Sequence, residues 1–239
     1  MHDMVSPNLL SDRLPAEYFS LDAPHKFVVC SFHTPDYVPT ALRLKRSLEA
    51  LHINHYLKRY PHQGSWEANT RLKPAFIRHC LDAFPGHDVL YVDADAVVRQ
   101  PLDFIDRIGG SDVALYLHPR KRKGRWYLRI TASVVFVRNN DNGRKFIDGW
   151  SGAEKELGRL AVDEDMLQRA FSGYEGLSFT ILPASYIKIF DESKAEPVIE
   201  HYQASRGVFN WCRGIRKATQ LTYYLLAALV VLSAIYFIR

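Results

Sequence analysis

Apolar runs of strand length alternate along this chain with stretches whose apolar residues recur at helical spacing. Residues 26–31 (KFVVCS) read as a first strand, which turns polar at Phe32-His33-Thr34-Pro35-Asp36. A helix follows, with Pro39 in its first turn and Ala41, Leu44, Leu48 and Leu51 on one face. A second strand, about Asn54 to Tyr60, runs into the loop Pro61 to Glu67. Asn69 or Thr70 is placed to cap a second helix, whose Leu72, Phe76, Cys80, Leu81 and Phe84 make an apolar face stopped by Pro85-Gly86. Val89-Leu90-Tyr91-Val92 is the third strand. This alternation predicts an α/β fold: a mixed, mostly parallel Rossmann-like sheet flanked by helices, with ligands at the carboxyl edge of its strands.

Further on, the pattern predicts a short helix near Pro101 to Ile108, a strand at Val113 to Leu117, and a basic loop. Ile130 to Val137 reads as a strand with Ser133 inside it. Helices are expected at Gly143 to Leu157 and Glu164 to Phe171, and short strands at Phe179 to Leu182 and Pro197 to Tyr202. The organisation expected is a tail at 1–25, one globular domain at 26–210, a basic linker at 211–220 and an apolar segment at 221–238.

The third strand carries the main chemical signal. Its apolar run stops at Asp93-Ala94-Asp95 and resumes as Ala96-Val97-Val98. Burying an ionised carboxylate is costly unless a cation compensates. Two of them at the edge of a buried strand fit a divalent cation with a phosphorylated ligand.

Charge and cysteine usage narrow the setting. The net charge is +5 over 239 residues, and much of the positive charge sits at Arg120-Lys121-Arg122-Lys123 with Arg125, and at Arg213, Arg216 and Lys217. One short basic run does not make a nucleic-acid face, so no nucleic-acid partner is expected. The second cluster precedes the uncharged residues 221–238, which span about 27 Å as a helix, close to the hydrocarbon thickness of a bilayer. Tyr223, Tyr224 and Tyr236 lie near the ends of that segment, and Arg239 follows it. A single-pass C-terminal transmembrane helix is expected, with the globular part on the cytoplasmic side by the positive-inside bias. Residues 1–25 show no apolar core of signal-peptide length. Cys30, Cys80 and Cys212 are odd in number and widely spaced, which suits reduced thiols. Arg120 to Arg125 reads as a solvated loop, or as a basic patch against anionic lipid.

Several pieces together resemble one family. YVDADAVV followed by a proline-led short helix resembles the DxD strand of GT-A-fold glycosyltransferases, the nucleotide-diphospho-sugar transferases of the glycogenin-like group. Ser31 to Tyr37 stands where that family holds the nucleotide. Leu44-Lys45-Arg46-Ser47-Leu48 resembles its first helix, and Trp66 with Lys73-Pro74 resembles the segment before the DxD strand. Thr131-Ala132-Ser133-Val134-Val135-Phe136 resembles the strand near the donor sugar. Asp163-Glu164-Asp165-Met166-Leu167 resembles its DQxxL segment with Glu for Gln, and Ile199-Glu200-His201-Tyr202 resembles the strand ending in a metal-binding histidine. The resemblance covers roughly residues 26 to 206.

The resemblance implies a metal-dependent hexosyltransferase that moves a sugar from a nucleotide-diphosphate sugar, UDP favoured, to an acceptor hydroxyl, with retention. A departing diphosphate is helped by a divalent metal; carboxylates with an imidazole favour Mn²⁺ over Mg²⁺. Asp95 and His201 are the expected direct ligands, and Asp93 would hold the ribose, the metal or both. Ser31, His33, Tyr37, Trp66, Lys73, Ala94 and Ser133 would line the donor. Arg206, in HYQASR, would close on the diphosphate or stand as a surface arginine, with Lys73 and Arg71 as alternative cations. Asp163 and Asp165 would act on the donor or acceptor, or supply the base that an inverting reaction needs; as acids opening a helix they also suit its dipole.

Two rivals remain in the sequence. Asp93-Ala94-Asp95-Ala96-Val97 also fits a haloacid-dehalogenase-like phosphatase with Asp93 as nucleophile, although that motif opens its fold and its later Asp pair sits at a strand end. The other rival is a non-catalytic, membrane-bound nucleotide-sugar-binding protein. His52 and His55 lack metal-ligating companions and read as ordinary residues.

Overall fold

The apolar runs become strands covered on both faces, which is why they lack the alternation of a half-exposed sheet. The computed structural model describes residues 15–158, 161–189 and 196–203. Its strands are β1 (Glu17–Ser20), β2 (Phe27–His33), β3 (His55–Arg59), β4 (Asp88–Val92), β5 (Ala96–Val98), β6 (Val113–Arg122), β7 (Arg125–Val137), β8 (Phe179–Ile181), β9 (Lys188–Ile189) and β10 (Ile199–His201). The helices are α1 (Val38–Ala50), α2 (Trp66–Thr70), α3 (Leu72–Ala83), α4 (Asp103–Asp106), α5 (Asp141–Gly152), α6 (Glu154–Leu157) and α7 (Asp163–Ser172).

A seven-stranded sheet has the order β1-β3-β2-β4-β7-β6-β8, and a three-stranded sheet has the order β5-β10-β9. β2 pairs parallel with β3 and β4, as the alternation of strands and helices predicts. The larger sheet is mixed, and it is less parallel than expected. β1 runs antiparallel to β3, and β7 runs antiparallel to both β4 and β6. For β6 and β7 the reason is the connection: they are joined by the two residues Lys123-Gly124, too few for a parallel crossover.

One apolar layer packs Val28, Cys30, Val89 and Tyr91 with α3, α5 and α7, including Phe76, Phe146 and Trp150. The opposite layer packs Val29, Leu90, Val92 and Phe136 with Leu44 and Leu48 of α1 and with Ile199 of β10. Cys30 and Cys80 are buried free thiols in the first layer, the packing role their context suggests.

Three local expectations change. The cap near α3 belongs to Ser65, whose side chain accepts from the Ala68 amide and opens α2, while Asn69 accepts from the Gln63 amide in the preceding loop. The basic loop is the end of a hairpin, because cross-strand pairing continues to Arg122 opposite Arg125. Glu17–Ser20, inside the stretch read as a tail, adds an edge strand to the sheet. Among the described residues no helix is long and apolar enough to cross a membrane. The segments 211–220 and 221–238, with Arg206 and Cys212, lie outside the described residues.

Candidate active site

β4 is a central strand, and its carboxyl end delivers the paired carboxylates. Asp93-Ala94-Asp95 makes a tight turn closed by the Ala96 amide donating to the Asp93 carbonyl at 3.0 Å. The Asp93 amide donates to the Ser133 carbonyl of β7 at 2.9 Å, which fixes Ser133 beside the turn. Ala94 is buried between the acids. The chain then enters β5, whose partner is β10 with Ala96 opposite His201. The Tyr202 amide donates to the Asp95 carbonyl at 3.1 Å, so the imidazole is tied to the turn through backbone.

His201 is buried, and its Nε2 has no hydrogen-bond partner. Burial lowers its proton affinity; Asp93, Asp95 and a hydrogen bond to the backbone of Tyr186 oppose that shift. A buried imidazole nitrogen without a hydrogen-bond partner, in the field of Asp93 and Asp95, is available to a ligand. Asp95 and His201 fit a Mg²⁺- or Mn²⁺-type ion that takes one or two protein groups and completes its shell with water and phosphate. Among the described residues no group of three His, Cys, Asp or Glu side chains is assembled for a metal. Asp93 Oδ1 is held by the Tyr91 hydroxyl at 2.9 Å and by Lys73 Nζ at 2.9 Å.

Lys73 is the buried hub of the site. Its ammonium donates to Asp93, to Asp163 Oδ2 at 2.5 Å and to the Ala132 carbonyl at 2.9 Å, which uses its three donors. Burial alone would depress it, but Asp163 and then Asp93 outweigh that and hold it above the ordinary lysine range. With its donors taken, Lys73 orients Asp93 and does not present itself to a phosphate. Arg71, the other alternative cation, pairs with Glu154 at 3.0 Å.

The acidic segment at the start of α7 divides its roles. Asp163 is buried against Lys73 and also accepts from the Glu164 amide. Asp165 is half-exposed and bound by Arg129 at 3.1 Å. Glu164, absent from the sequence candidates, shares that arginine at 3.0 Å; burial, then Asp163, raises its proton affinity. Asp163 and Asp165 stand on a helix and not at a strand end, against the phosphatase reading.

Ser31 and His33 end β2, both buried, with Ser31 Oγ and both His33 ring nitrogens unpartnered. Burial, with Arg59 nearby, lowers the His33 proton affinity to about 4. Tyr37, in the turn after β2, is raised to about 12 by burial and by Asp95, Asp36 and Asp93, so its hydroxyl stands in the field of the paired acids. Trp66 opens α2 and is half-buried. Tyr91 was read only as an apolar strand residue, although its position two residues before Asp93 could have put it beside that acid. Glu164 stood at the Gln position of the DQxxL-like segment, whereas Arg129 had no signal beyond charge.

No protein-family model matches the chain, and no curated protein matches it in sequence. Its fold matches solved structures. A glycosyltransferase involved in the glycosylation of the major capsid of PBCV-1 superposes with a TM-score of 0.59 at 16% identity, over 74% of this chain and 93% of that one. The galactosyltransferase LgtC, solved with donor and acceptor sugar analogs, matches at 0.50 and 14%, over 74% and 87%. The apo glycosyltransferase GlyE of Streptococcus pneumoniae TIGR4 matches at 0.51 and 18%, over 75% of this chain but only 55% of that one, so the chain spans about half its length. The architecture of this chain is the GT-A glycosyltransferase fold.

Proposed function

We propose that the protein is a metal-dependent glycosyltransferase that moves a hexosyl group from a nucleotide-diphosphate sugar, UDP favoured, to an acceptor hydroxyl. The observation that carries this reading is the buried, unpartnered His201 Nε2 on a residue registered opposite Ala96, next to Asp95 beyond the carboxyl end of β4. The glycosyltransferases that share the fold support it. Asp95 and His201 would hold a divalent cation, Mn²⁺ favoured, which when bound supplies Lewis-acid help to the leaving diphosphate.

The chain's own residues bind and orient. Asp93, fixed by Tyr91 and Lys73, offers its remaining oxygen to the ribose or to the metal shell. Ser31, His33 and Tyr37 line the nucleotide side at the end of β2, where ligands of such sheets bind. Glu164 and Asp165, aimed by Arg129, flank the donor sugar. The reaction is read as retaining, with an oxocarbenium-like transition state. The apolar segment 221–238 and basic linker 211–220 are read as a membrane anchor that keeps the site at the cytoplasmic face.

The test is nucleotide release from a panel of nucleotide sugars with and without Mn²⁺. Release from one donor is expected, lost on chelation and lost in Asp95→Ala and in His201→Ala. Release that survives both substitutions sinks the assignment.

A further inference from the structure

β6 and β7 continue together past the end of β4. Val92, the last residue of β4, pairs with Val134, and among the described strands residues 125–131 of β7 pair with β6 alone. At about 3.3 Å per residue, Arg125 to Ser133 carries this ribbon roughly 25 Å beyond the edge that holds Asp93 and Asp95. Its tip is the two-residue turn Lys123-Gly124, with φ of 48 and 80 degrees, the positive-φ pair that matches strand twist.

The register sorts the side chains by face. Lys121 stands opposite Trp126 and Pro119 opposite Leu128 on one face; Arg120 stands opposite Tyr127 on the other. Trp126 is 71% exposed, Leu128 57% and Tyr127 44%, and Arg120, Lys121 and Arg125 are exposed beside them. The sequence has no Asp or Glu between Asp112 and Asp141. The acids that α7 brings to the base of the ribbon, Glu164 and Asp165, are bound by Arg129.

Large apolar side chains exposed among cations, without a carboxylate on the same strands, match a surface that is negative outside and apolar beneath. Indole and phenol rings favour the headgroup level of a bilayer, and basic residues are drawn to anionic lipid. The same chain carries the uncharged residues 221–238, of bilayer-spanning length.

We propose that the β6–β7 ribbon docks on an anionic lipid surface. Trp126 and Leu128 enter the headgroup region, Arg120, Lys121 and Arg125 hold the lipid phosphates, and the carboxyl edge of the sheet faces that surface. The docking stands whether or not the reaction proposed above is correct.

The test uses the full chain with vesicles of phosphatidylcholine alone or mixed with phosphatidylglycerol, carrying brominated acyl chains. The emission of Trp126 is isolated by subtracting a Trp126→Phe chain. Expected is loss of Trp126 emission in the anionic vesicles, and its recovery in high salt and in the Arg120→Gln/Lys121→Gln/Arg125→Gln chain. Each neutralised cation should weaken the contact about fivefold. Because the readout is the position of one side chain, insertion of residues 221–238 does not mimic it. Equal quenching of Trp126 by aqueous acrylamide with and without vesicles overturns the proposal. So does equal bromine quenching in both lipids, or protection by a soluble polyanion with none by vesicles.

Discussion

Lys73 holds two carboxylates that would otherwise be buried without a cation. Asp93 and Asp163 come from β4 and α7, and both reach the same ammonium. Removing one partner of such a cluster leaves buried charge uncompensated, so Lys73→Met should cost about 3–5 kcal/mol. Urea unfolding at neutral pH measures it, and adding Asp163→Asn should recover part of the loss. A Lys73→Met chain as stable as the native one would mean that Asp163 is solvated. His33 makes a pH prediction. Its folded proton affinity, about 4, lies below the ordinary 6.5, so the unfolded chain binds the proton first. The contribution is therefore complete above pH 6.5 and is lost as pH falls toward 4, by up to about 3 kcal/mol. A His33→Phe chain should lose that much less over the same window; parallel losses in the two chains would count against the burial of a neutral imidazole.

At the scale of elements, α5 begins where a side chain does not fit. A Cβ on Gly143 would meet the Arg138 carbonyl oxygen at 2.2 Å, while Gly149 in the same helix faces open space. Gly143→Ala should cost about 1–3 kcal/mol through overpacking. Gly149→Ala should instead gain about 0.5–1 kcal/mol, since a mid-helix glycine is an entropic cost. Thermal denaturation of the two variants checks the contrast, and equal shifts would contradict this packing. Elements were legible where periodicity was long, as in α1 and α3, whose buried Leu44, Leu48, Phe76 and Cys80 recur at helical spacing. β1 and β9 were not, because edge strands of two to four residues take their identity from a partner. The hairpin was hidden for the same reason, since a basic run reads as a loop until β6 and β7 pair.

For the whole molecule, the proposed function predicts coupling between ligands. Mn²⁺ and UDP should each stabilise weakly alone and strongly together, because each completes the other's shell. At ~100 times Kd the pair should add about 2.7 kcal/mol, or about 5–10 °C for a domain of this size. Thermal shift with UDP, GDP and other nucleotides, with and without Mn²⁺, measures it. Additive shifts, or none with any nucleotide, would argue against a joint metal and nucleotide site and for another ligand.

The sequence by itself determined the α/β alternation and the place of Asp93-Ala94-Asp95 at the end of a buried strand, which is the fourth strand and not the third because β1 was hidden. Those features are local: periodicity and turn residues are written within a few positions of one another. Only the tertiary structure decided how those residues are used. Pairing of β10 with β5 brings His201 beside Asp95, and packing of α3 against β4 and α7 turns Lys73 onto Asp93 and Asp163, away from a phosphate. Hydrogen-bond partners and the compensation of buried charge are set between elements distant in the chain, and no local pattern encodes them.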